Sequence, residues 1–432
     1  MRKTVTIANV KGRKYSEPKV VTNKGDTYIL YIENRDLVLS KHDGKSSKKI
    51  NIIKHANPYQ TSLYKKNNIL YLCWAVQGGT ASVVKCYSYN ISDNILRKLF
   101  ESDTIDCMNI EDLRVVIDNF DNIFITFTVW QESGAVSQYV FSKYEDYFEK
   151  NIIDRRGKHG DIAVDDDYLH LVWQKKASKN SYIIGYKKKE NKINGKWGKV
   201  KEIAGQLENG LVQRPRCSLS GHILHVIYHV GEDPNRQIFY KNSQDNFKSK
   251  ILVSGNPAGY GSIDICSENE HNIFISMKKG RQILYNRMVE GRWLGIVALL
   301  KDKFATQDSF LDSDKFSVVF CSRWQDVRLV QDGKLEYEEE DMAPAPEEIV
   351  NSEPEITPIP ENKPEKRKID DEKLRKNVIP IMKIEKAESE KIVRLNLKKP
   401  PFIFIKFDLF LKKYWSQMLF FVTGFVLKWL LK

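Results

Sequence analysis

The chain has 432 residues, 41% hydrophobic and 11% aromatic, with 69 Lys+Arg against 56 Asp+Glu for a net charge of +13. That apolar share excludes a wholly disordered chain and is enough for a sizeable core. The basic residues are spread along the chain, the run Lys412–Trp415 is short, and aromatic–basic interleaving is absent, so nucleic acid is not an expected partner.

The first segment, MRKTVTIANVKGRK, has no apolar stretch and no small-residue cleavage site, and it reads as a strand rather than a secretory signal. A strand pattern then returns seven times at intervals of about 41 to 55 residues, the signature of a radial or stacked repeat. The runs are DTYILYIE from Asp26, NNILYLCW from Asn67, DNIFITFT from Asp121 and DDYLHLVW from Asp166, followed by GHILHVIY from Gly221, HNIFISMK from His271 and DKFSVVFC from Asp314. Each is taken as the first strand of a blade. A second apolar strand follows, most clearly in the internal match of Asn235–Asn242 with Gly280–Arg287. The expected fold is all-β: a seven-bladed β-propeller over residues 1–338. Its last repeat is one strand short, so Lys3–Asn9 is expected to close the ring by pairing near Lys334–Glu338.

From Glu336 the composition turns to Glu, Pro and Lys with almost no aromatics, which predicts a flexible, disordered linker over 339–398. Residues 399–432 predict a C-terminal hydrophobic, amphipathic, membrane-anchoring helix. Trp415, Met418, Leu419, Phe421, Val422, Phe425, Val426 and Trp429 share one side, and Lys413, Ser416, Gln417, Thr423, Gly424 and Lys428 tend to the other. Whether this segment spans a bilayer or lies on it is open, because its apolar stretch sits at the short limit for crossing. The expected setting is cytoplasmic and membrane-associated, with lipid as the helix's partner.

Six cysteines lie far apart with no CxxC pair, and no histidine has metal-ligand spacing, so no metal and no cofactor are expected. No GxSxG, P-loop or HExxH occurs. The distinctive residues instead stand at strand ends facing one rim. Trp74, Trp130 with Gln131, Trp173, Tyr228 and Trp324 leave the second strands. Arg114, His159 with Asp161, Arg214 with Arg216, and Tyr260 enter the first strands. Aromatic faces beside Arg, Gln and Asp suit a sugar ring or a peptide, while the same tryptophans serve equally well as wedges between blades.

The turns between third and fourth strands carry Ser243-Gln-Asp245, Asn194-Gly195-Lys-Trp197 and Glu290-Gly291-Arg-Trp293, each an incomplete Ser-x-Asp-x-Gly-x-x-Trp. In this the chain resembles the Asp-box, sialidase-type propellers. The resemblance implies a propeller fold and, if it extends to activity, arginines for a substrate carboxylate, a Tyr–Glu nucleophile pair and an acidic proton donor. Arg214-Pro215-Arg216-Cys217 is similar to that family's arginine-led approach to a first strand. With no complete catalytic set, the expected function is a non-enzymatic binding or scaffolding propeller with a protein or glycan partner on its face. The alternative is a sialidase-like glycan-binding lectin or a glycoside hydrolase.

Overall fold

A computed structural model describes residues 3–9 and 18–332, apart from 146, 179–180, 206–210, 256–258, 281, 302–303, 313–314 and 323–325. The chain divides into two units, Met1–Glu355 and Ile356–Lys432, and every described residue belongs to the first. The expected linker 339–398 and helix 399–432 lie outside the described residues, as do Trp324 and Lys334–Glu338.

The fold is an all-β propeller. Six antiparallel sheets are each built from consecutive strands: Lys19–Ile53, Pro58–Asp106, Asn109–Asp154, Gly157–Ala204, Val212–Leu252 and Tyr260–Lys301. A seventh sheet combines Phe304–Asp312, Lys315–Ser322 and Asp326–Asp332 with the chain's first described strand, Lys3–Asn9. The N-terminal strand therefore pairs, but its partner is Asp326–Asp332, in register Lys3 with Gln331 through Asn9 with Asp326. The pairing expected near Lys334–Glu338 is displaced toward the N-terminus.

That displacement has a cause that recurs in every sheet. The apolar runs taken as first strands are second strands: Asp26–Glu33, for example, pairs with Lys19–Asn23 on one side and Asp36–His42 on the other. Second strands are sandwiched between neighbouring sheets, so both of their faces are buried and they read as continuous apolar runs. The true innermost strands, such as Asn109–Ile117 and Val212–Ser220, are more polar and irregular, and an apolar pattern passes over them.

Adjacent sheets share apolar layers. Leu30 and Leu39 of the first sheet pack with Leu72 and Trp74 of the second. Val20, Ile29 and Tyr31 pack with Val319, Val327 and Leu329 of the seventh. Outer strands lie at the surface, as in Ser47–Ile53, none of whose residues is buried. Tight hairpins use paired left-handed residues such as Lys24 (φ 52°) with Gly25 (φ 87°), whose twist matches that of the strands they join. Asp245 accepts from the backbone N–H of Lys248 (3.2 Å) and Ser249 (2.6 Å), so the incomplete Asp-box motif does close the turn after the third strand of its sheet.

Candidate active site at the channel mouth

The innermost strands bring the site together because they are bulged at corresponding places. In Asn109–Ile117 the register shifts between Glu111 and Arg114, in Gly157–Val164 between Lys158 and Asp161, and in Val212–Ser220 between Gln213 and Arg216. In each, two residues oppose one on the partner strand, which re-aims side chains away from strict alternation. The first bulged residue is left-handed in all three: Asp112 (φ 53°), His159 (φ 53°) and Arg214 (φ 50°). Such backbone is uncommon outside glycine and gathers at functional positions. Gly160 completes the second bulge, where an added Cβ would collide with the Gln138 side chain.

These three residues line one cavity of about 350 Å³ at the mouth of the channel, with Lys19, Gln60, Asn109, Glu111, Arg114, Arg216 and Ser262 also on its wall. That volume suits a monosaccharide or a small oligosaccharide unit. Four cations (Lys19, Arg114, Arg214, Arg216) face two carboxylates (Glu111, Asp112), so the cavity favours an anionic ligand. Arg214 is exposed.

Asp112 is held on both oxygens. Its Oδ2 lies 2.7 Å from His159 Nδ1, and its Oδ1 accepts from Arg216 Nη2 at 3.1 Å. Burial, the largest single influence, would raise its pKa; the bond and charge of His159 and the Arg216 guanidinium together outweigh it and hold the carboxyl well below the usual range. With Nδ1 bonded to Asp112, Nε2 is the ring nitrogen of His159 that this contact leaves uncommitted. Glu111 is fixed beside this pair, its Oε2 accepting from Trp130 Nε1 (2.9 Å) and its Oε1 from Asn109 Nδ2 (3.1 Å).

A second chamber of about 320 Å³ adjoins the cavity, lined by Asp161, Cys217 and Asp264 and sharing Arg114 with the first. Arg114 Nε is 3.8 Å from Asp161 Oδ1, and its Nη2 is 3.7 Å from Asp264 Oδ1, which ties three inner strands together across the channel. Asp161 also accepts from Cys217 N at 2.9 Å. Burial pushes its carboxyl above the ordinary range, with Arg114 and Arg216 only partly offsetting this. Asp161 lines this second chamber and not the first.

Of the residues singled out from the sequence, Arg114, His159, Arg214 and Arg216 meet on the cavity wall, and Trp130 reaches it through Glu111. Gln131 is exposed in the turn after its strand. Trp74, Trp173, Tyr228 and Tyr260 are instead buried in the core, each at most 1% exposed, and present no surface to a ligand. Trp173 shows why: a Cβ added at Gly157 would come within 2.7 Å of its ring, so the indole fills the space beside its own strand. Glu111, Asp112, Lys19 and Ser262 were not singled out. The bulges that aim the first two inward leave no mark in a period-two pattern, although two adjacent acids entering a strand were a visible signal.

No family model matches the chain, and no curated protein matches it. Solved structures do. An α-L-arabinanase from Penicillium chrysogenum complexed with arabinobiose is 12% identical with a TM-score of 0.47, covering 76% of this chain and 97% of that one. An α-L-arabinofuranosidase of Fusarium graminearum, also with arabinobiose, is 12% identical with a TM-score of 0.45 over 76% and 97%. A Hadza microbial sialidase is 9% identical with a TM-score of 0.45 over 72% and 73%. The chain shares a fold-level resemblance with sialidase-type propellers. The expectation of a non-enzymatic binding or scaffolding module is corrected here: the arabinanase, the arabinofuranosidase and the sialidase just described carry glycosidase names, which stand behind the glycoside hydrolase alternative rather than a scaffold.

Proposed function

We propose that the channel mouth is the active site of a glycoside hydrolase that takes anionic glycans. One observation carries the reading: Arg114, Arg214 and Arg216 line a single sugar-sized cavity with Glu111, Asp112 and His159. In this reading Arg214 and Lys19 receive the sugar's negative group. His159, oriented by Asp112, gives a proton to the leaving oxygen. The Glu111 carboxylate faces the positive charge that develops on the sugar, or takes the proton of the attacking water.

The test is turnover by the full chain on aryl glycosides of acidic and neutral sugars. We expect turnover of acidic members only, a fall in kcat of about 10²-fold or more for His159→Gln, and a raised KM for Arg214→Ala. If the protein neither binds nor cleaves any acidic sugar, the reading fails.

Two further readings from the sequence stand as proposals. The seventh sheet, which joins the chain's first and last described strands, serves as a seventh blade that seals the ring. Residues 399–432 fix the propeller to lipid from the cytoplasmic side, supported by the one-sided apolar pattern of Trp415 through Trp429.

A further inference from the structure

His159 and Gly160 are the two residues that the register of the fourth sheet skips, between Lys158 and Asp161. Their backbone N–H groups turn instead to the third sheet. His159 N donates to Thr128 Oγ1 at 3.0 Å, and Gly160 N donates to Gln138 Oε1 at 3.0 Å. Thr128 and Gln138 are fully buried and stand directly opposite each other on the second and third strands of that sheet. Neither lines either cavity.

The proton directions around Gln138 are all determined. Its Nε2 donates to Phe127 O (3.0 Å), which can only accept, and to Thr126 Oγ1 (2.7 Å), whose own proton goes to Tyr139 O (2.9 Å). Its Oε1 faces the Gly160 N–H, which can only donate, and also receives the Thr128 hydroxyl proton at 3.2 Å. That leaves a Thr128 lone pair for the His159 N–H. A primary amide offers two donors and two lone pairs, and here all four are used. A flipped amide would set N–H against N–H, so the group has one orientation.

Two features tie this network to the bulge. Gly160 approaches so closely that any added Cβ would collide with the Gln138 side chain. A buried amide is also costly unless its bonds are made, and a hydrocarbon side chain would fill the position without that requirement. Three successive strands of one sheet thus hold a single histidine. Asp112 on the first lies 2.7 Å from its ring Nδ1, Thr128 on the second takes its N–H, and Gln138 on the third fixes the next residue. His159 is kept left-handed at φ 53°, a backbone that persists only where its surroundings enforce it.

We propose that Gln138, with Thr128, is a positioning residue for His159: the buried amide fixes the backbone of the bulge, and the bulge aims the imidazole into the cavity. The inference rests on the proposed function for what the ring does, and not for how it is held. Removing either acceptor frees an N–H of the bulge, lets the backbone relax and carries the ring away from Asp112.

The experiment compares the full chain with Gln138→Met and Thr128→Val, which keep volume and lose the acceptors, and with Thr128→Ser, which keeps the hydroxyl. Each is measured by NMR of the His159 ring nitrogens without ligand, and by steady-state turnover of an acidic aryl glycoside. We expect Gln138→Met and Thr128→Val to move the His159 ring resonances and to lower kcat about 10-fold or more, with KM within about twofold of the wild type. Thr128→Ser should restore both. If Gln138→Met does not fold, the two Thr128 variants carry the comparison. Folded variants that melt at a lower temperature yet keep the wild-type His159 resonances, or the wild-type kcat, reveal a merely structural role and overturn the proposal. Absence of turnover by the wild type counts against the active-site reading alone, and the His159 resonances then decide the positioning role.

Discussion

Asp112, His159 and Arg214 pay for their positions in backbone strain of order 1 kcal/mol each. What they gain is direction: a left-handed residue in a bulge projects where strict alternation would not allow. Arg114, His159, Arg214 and Arg216 were legible in the sequence because polar residues at the start of a strand stand out against apolar neighbours. Asp112 was not, since its role comes from His159 on the next sheet and Arg216 on the one after. Another histidine shows the same dependence on surroundings. His225 is 1% exposed, bonded to Ser220 Oγ and Tyr240 OH at 2.7 Å each, and burial lowers its pKa to about 4. Above its unfolded pKa, about 6.5, it is neutral in both states and costs nothing. As pH falls from there toward 4, the unfolded chain takes a proton that the folded chain refuses, and about 3 kcal/mol of stability is lost. Urea unfolding at pH 7.5 and 4.5 should show this loss, and His225→Gln should flatten it; an equally steep loss in the variant would assign it elsewhere.

At the scale of elements, periodicity located strands reliably and ranked them wrongly. The strands buried on both faces carry the loudest apolar signal, and they are second in each sheet rather than first. The inner strands are quieter because one of their faces meets the channel, where Arg114, Asp161 and Asp264 replace aliphatic side chains. The N-terminal strand follows a related logic. Lys3–Asn9 covers the open edge of Asp326–Asp332, so its pairing is non-local and joins the first and last described strands. Deleting the first ten residues should lower the melting temperature by several degrees, read by circular dichroism; an unchanged melt would mean that the seventh sheet is stable without it.

For the whole molecule, the proposed anchor predicts that the full chain sediments with membranes and a version ending near Leu395 does not. A full-length protein that remains in the soluble fraction would falsify the anchor. The amino-acid sequence by itself determined a repeating all-β body, because strands buried on both faces must be apolar and turns between them must carry left-handed residues. Both requirements are local, and both are written residue by residue. Only the tertiary structure decided which strands face the channel, that bulges on three separate sheets converge on one cavity, and that Asp112 is ionised there while Asp161 resists ionisation. Those outcomes depend on distances between residues far apart in the chain and on burial from water, and neither quantity exists until the sheets have packed against one another.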